Sequence, residues 1–231
     1  MIGPAVTTAA LKDFSGPAAG LFGNMRVPAA LVAGASIPMG LIAGPKLAAD
    51  DPPKLQALKT LHALLAVTTL SNQLLVVLWS TIAVNKLSEV AAPPAVSLMA
   101  FISRDYEMAW IGCNVHFLSG ILTLCCMAGL NMHINYGAAI GRAASLLTSS
   151  TVLFMTSIVN EGVAQGDGTG GRLGASVFSL ACRYVTLLVS HVAERRGYLL
   201  VAALALALAA SYYACRALLG ELAGELKQKH A

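Results

Sequence analysis

The sequence predicts an all-α fold, a multi-pass transmembrane helical bundle of about five spans plus one amphipathic helix, and three observations carry that expectation. Hydrophobic residues fill 57% of the 231 positions and charged residues only 11%, against roughly 25% charged in ordinary soluble domains. The apolar residues gather into long, nearly charge-free runs, close to the roughly 20 residues a helix needs to cross a bilayer. No run alternates in the short pattern of a membrane barrel, and backbone amides cannot stay unpaired in hydrocarbon, so the runs are helices. The expected spans are 27–44, 61–84, 109–132, 138–159 and 198–219, with an amphipathic helix over 173–192. The intervening loops are too short for a separate soluble domain, so residues 1–231 form one helical membrane domain.

The first span carries Ser36, Gly40 and Gly44 at four-residue spacing, as are Ala30 and Gly34. Small residues on one face let another helix approach closely. Pro28 is expected near the start of the span, where its missing amide proton costs nothing, and Pro38 inside it, where it bends or breaks the helix. Lys12, Arg26 and then Leu47-Ala48-Ala49 before Asp50 also fit a signal sequence with a small-residue cleavage site. Pro45 and Lys46 crowd that site, and the small-residue face favours retention.

Asp50-Asp51-Pro52-Pro53 stops the first span, and Ala91-Ala92-Pro93-Pro94 separates the second from the third. Within the second span Asn72 and Gln73 form an amide pair that is costly in hydrocarbon unless it faces the bundle interior, where interhelical hydrogen bonding is the plainer role and a ligand site the sharper one. The third span opens at Tyr106-Glu107-Met108-Ala109-Trp110, an aromatic pair of the interfacial kind, and then carries Asn114 and His116. A neutral histidine in a membrane can relay a proton or ligate a metal, including the magnesium of a chlorophyll. His116 and Asn114 are therefore the candidate pigment or ion ligands. A satisfied core histidine is the plainer reading, because no second histidine or carboxylate stands four residues away.

The fourth span holds Gly137, Gly141, Ser145 and Ser149 at unbroken four-residue spacing, the best packing signal in the chain. The segment 166–171 matches a glycine pattern of dinucleotide-binding proteins, but without the strand–helix context it reads as a polar loop. In the amphipathic helix Arg183 sits at the centre, where spanning alone would cost about 2.5–3.5 kcal/mol for that residue. A position along the membrane surface is expected, with Arg195 and Arg196 toward the headgroups. The last span, rich in alanine and leucine, is a packing element.

Lysines and arginines divide almost evenly between the two sides, so orientation is not encoded in them. The net charge of +4 is spread out, without the basic cluster of a nucleic-acid binder. The five cysteines, Cys113, Cys125, Cys126, Cys182 and Cys215, lie in apolar segments without metal-type or disulfide-type spacing. No catalytic constellation and no metal site emerges.

The runs Met25-Arg26-Val27-Pro28-Ala29-Ala30-Leu31 and Glu107-Met108-Ala109-Trp110-Ile111 resemble an uncharacterised group of multi-pass membrane proteins from algae with complex plastids. That resemblance implies an organellar, plastid membrane setting. Glu107-Met108-Ala109-Trp110 is also similar to the start of the third span in Orai calcium channels, although the first span here lacks the carboxylate such pores depend on. Two functions are expected. The first is a non-catalytic accessory or structural subunit of a larger membrane complex, with chlorophyll or lipid as the cofactor and membrane lipids, other subunits or further copies of itself as partners. The second is a channel or carrier for a small solute or ion, lined by Asn72, Gln73, Asn114, His116 and Arg183.

Overall fold

The computed structural model describes residues 11–164, 176–195 and 198–229, so the glycine-rich 166–171, residues 173–175 and Arg196 lie outside it. Among the described residues the chain is helical, with one isolated antiparallel bridge between Lys12 and Ala95. The helices are α1 (Ser15–Ser36, continued by a π-helical turn, Ile37–Ile42), α2 (Pro53–Glu89), α3 (Leu98–Asp105), α4 (Glu107–Ala164), α5 (Val177–Arg195) and α6 (Tyr198–Lys229). Among the described residues, five stretches are long and apolar enough to cross a membrane: Ser15–Ile42, Pro53–Glu89, Glu107–Asn160, Val177–Glu194 and Tyr198–Gly220.

The first helix begins well before the predicted 27, because Ala18 and Phe22 are buried against the bundle and carry the helix past the charge of Arg26. Pro28 consequently lies in the helix interior, not near its start. Pro38 acts as expected. It has no amide proton for the ordinary helical bond, and the chain widens into a π turn in which the Ala43 amide donates to the Pro38 carbonyl at 2.8 Å. The Ser36/Gly40/Gly44 face points inward. A methyl group on Gly40 would meet Ala66 of α2 and Met127 of α4, and one on Gly44 would meet the Gly40 carbonyl and the His62 ring. Nothing lies within 4 Å of Gly34, and Ala30 is exposed, so that second small-residue face is left outside.

In the turn before α2 the Asp51 carboxylate accepts from the Lys59 ammonium at 2.6 Å and from the Ala48 amide at 2.9 Å. Lys59 first, and then that amide, holds its carboxyl below the usual carboxylate range. The central helix α2 buries His62, Ala66, Thr69, Gln73, Val76, Ser80, Ala83 and Leu87. These positions alternate by four and three residues, the 3.5-residue repeat of a left-handed helix seam. Both α1 and α4 pack along this helix. The short α3, absent from the predicted elements, is capped by the Ser97 hydroxyl, which accepts from the Ala100 amide at 3.1 Å.

One helical run, α4, holds the predicted third and fourth spans, and the break between them is Gly137, at φ 82° and ψ 179°. Only glycine adopts that backbone readily. The run doubles back there as a hairpin. A methyl group on Gly141 would meet the His133 backbone and ring, and one on Gly129 would meet Ser145 and Thr148. The stripe of Gly137, Gly141, Ser145 and Ser149 is therefore spent within the chain. Gly137 makes the turn, Gly141 and Ser145 close the two arms, and Ser149 lines a groove with Cys126 and Gly129 of the first arm and Leu61 of α2.

The α5 helix starts on a reciprocal cap, with the Ser179 amide donating to the Ser176 hydroxyl and the Ser176 amide to that of Ser179. Asn160 adds to it, its side-chain oxygen accepting from the Val177 amide at 2.8 Å. The exposed side of the helix, Phe178, Cys182, Val185, Thr186, Val189, Ser190 and Glu194, mixes apolar and polar residues, whereas Leu180, Arg183, Tyr184 and His191 turn toward the bundle. Arg183 of the expected polar stripe thus turns to Glu107, while Thr186, Ser190 and Glu194 of the same stripe stay exposed. Running beside α2, α6 has no buried residue in its apolar span.

Candidate functional site

The polar residues of α2, α4 and α5 meet in one seam, brought close by two glycines of α4. A methyl group on Gly112 would strike the Trp79 indole, and one on Gly120 the Gln73 side chain. Those glycines flank His116 at four-residue steps, so Gly112, His116 and Gly120 share the face turned to α2.

There His116 Nδ1 lies 2.7 Å from Asn72 Oδ1, and Nε2 lies 2.8 Å from the Tyr184 hydroxyl. The Asn72 amide group donates to the Thr68 carbonyl at 2.9 Å, so its oxygen can only accept from His116. That places the proton on Nδ1 and leaves Nε2 to accept from Tyr184. The result is a directed chain from Tyr184 through His116 and Asn72 to the α2 backbone. Tyr184 also stands edge-on to Trp79, with ring centroids 6.2 Å apart.

On the adjoining face of α2, Gln73 Nε2 donates to the Phe117 carbonyl at 3.1 Å, and Thr69 donates to Thr123 at 2.8 Å. Gln73 Oε1 and His62 Nε2 are buried without a hydrogen-bond partner among the described residues. Such an orphan costs about 1–3 kcal/mol unless water or a ligand satisfies it. At the other end of the seam Arg183 forks onto Glu107, with Nε and Nη2 each 3.0 Å from a carboxylate oxygen. Arg183 is 41% exposed and Glu107 18%, so this pair fixes geometry more than it adds stability.

Of the predicted polar residues, the structure joins Asn72 with His116, turns Gln73 onto the Phe117 carbonyl of the same helix α4, and pairs Arg183 with Glu107 farther along the seam. Asn114 does not join. Its amide donates back to the Trp110 carbonyl at 2.8 Å. With both His116 nitrogens engaged and Asn114 turned onto its own helix, a pigment or ion could reach this pair only by displacing Tyr184 or Asn72. Tyr184 and Glu107 were missed as partners, since nothing in spacing links α5 to α4 across 76 and 68 residues. The flanking Gly112 and Gly120 were a readable signal, at the same spacing used for the other stripes.

Among the described residues, no group of three or more histidine, cysteine or carboxylate side chains could hold a metal ion. Comparison with family models, with curated proteins and with solved structures returns no match.

Proposed function

We propose that this chain is a non-catalytic subunit of a larger membrane assembly, in the plastid membrane that its sequence resemblance implies, and that α6 is where it meets its neighbours. The observation that carries this is the span Tyr198–Gly220, apolar except for Ser211, Arg216 and the tyrosine hydroxyls, with none of its residues buried by its own chain. In lipid there is no hydrophobic gain from helix association, so a helix that touches its own chain along α2 and, less, at α5 is free to pack by shape against another chain. Ala203 and Ala207 give its exposed surface a smooth stretch. The Ser36/Gly40/Gly44 and Gly141/Ser145 stripes that pointed to partners in the sequence do not support the reading now, because they close the bundle internally. Replacing Ala207 with tryptophan should leave the bundle folded and release the chain from its complex on native extraction and size separation. Unchanged comigration would refute the α6 interface.

A second reading, a carrier for a small solute or ion, is favoured by the unpartnered Gln73 Oε1 beside the Tyr184–His116–Asn72 chain. It predicts uptake by reconstituted liposomes that falls on His116→Ala, and inert liposomes under several gradients would refute it.

A further inference from the structure

A cavity of about 530 Å³ opens where α2 ends and α4 begins, and no role described so far uses it. Its volume falls within the usual range of small-molecule pockets. The floor is Trp79 and Ala83, one wall is the apolar loop 90–93, another is Tyr106 with Met108, and His191 of α5 closes the side. The walls are apolar and the mouth is charged. Lys86, in the last turn of α2, is exposed and makes no ion pair among the described residues, and His191 stands across from it. Among the described residues, the one carboxylate that lines the cavity, Asp105, is neutralised by Arg104, whose Nε lies 3.0 and 2.9 Å from its two oxygens. The same guanidinium donates to the Pro93 carbonyl at 2.8 Å and lies over the Phe101 ring, which fixes the loop that forms the wall.

The cavity lies beside the Tyr106-to-Trp110 entry of α4, the level at which interfacial aromatics mark the edge of the hydrocarbon. An apolar pocket at that depth, with unpaired cationic character at its lip, suits a molecule with a hydrocarbon body and an anionic head. We propose that it binds one single-chain amphiphile with a carboxylate head, of the long-chain fatty-acid class, the chain lying over Trp79 and the carboxylate meeting Lys86 and His191. Charge complementarity selects the head, and the apolar lining selects the tail.

The chain has two tryptophans, and only Trp79 lines the cavity, while Trp110 packs edge-on against Phe22. The test uses the full chain in mild detergent with Trp110→Phe, so that Trp79 is the sole tryptophan, excited selectively over tyrosine and titrated with a long-chain fatty acid brominated along its chain. Saturable quenching is expected, with half-saturation raised roughly five- to tenfold by Lys86→Gln. The brominated methyl ester should not saturate over the same range. Ala83→Leu, which fills the floor, should abolish saturation. If that variant does not fold, Trp79→Phe replaces it, and its remaining Trp110 should show no saturable quenching. Linear quenching, equal quenching by acid and ester, or quenching only by a brominated two-chain phospholipid would each overturn the proposal.

Discussion

Tyr184 donates to His116 and His116 to Asn72, and each has a partner in the seam only because the helices bring all three together. Removing the Tyr184 hydroxyl leaves His116 Nε2 unmet, and removing the Asn72 oxygen leaves an N–H unmet, the two kinds of loss that cost most when buried. Tyr184→Phe is expected to destabilise the protein by about 0.5–1.5 kcal/mol. A double-mutant cycle with His116→Leu should give a coupling on the order of 0.6 kcal/mol, the average for such pairs in membranes. Strict additivity in denaturant titrations of the purified protein would show that the chain of bonds is not formed. Gly137 is the other decisive residue. At φ 82° and ψ 179° it occupies a region that other residues enter only at about 1–3 kcal/mol. Gly137→Val should therefore lower stability by about that amount in the same assay, and a neutral result would place the turn elsewhere.

Among the elements, the hairpin of α4 was readable in outline, because 109–132 and 138–159 were already two runs with a glycine between them. Its consequence was not. A stripe of small residues says that some helix comes close, without saying which, and only the fold shows that Gly141 and Ser145 meet their own first arm. The same ambiguity governs the first span, where two small-residue faces look equivalent in sequence. Packing separates them. Gly40→Leu has to push apart Ala66 and Met127 and should strongly reduce the folded fraction, whereas Gly34→Leu faces open space and should be tolerated. Equal tolerance, read from monodisperse elution in detergent, would contradict the inward face. The start of α1 and the whole of α3 were hidden for another reason, since burial of Phe22 and of Phe101 and Ile102 is tertiary and leaves little local signature. The polar stripe of α5 was visible, but its periodicity is the same whether it faces headgroups or the bundle.

The whole molecule is organised around α2, which carries a heptad seam on the side met by α1 and α4 and leaves Leu74, Leu75 and Leu78 exposed on another. Hydrogen-bonded polar groups concentrate in the seam, and the outward surfaces of the second α4 arm and α6 are largely apolar, with Leu146, Leu153, Leu199 and Leu206 each more than two-thirds exposed. That inverted distribution fits hydrocarbon as the surrounding solvent. It also makes α6 the element with most surface left for another chain. A photoactivated cross-linker at Leu206, used in the native membrane, tests this most directly. The proposed subunit role predicts a discrete protein–protein adduct of defined mass, and adducts to lipid alone, at Leu206 and at positions around the full turn of α6, would contradict it.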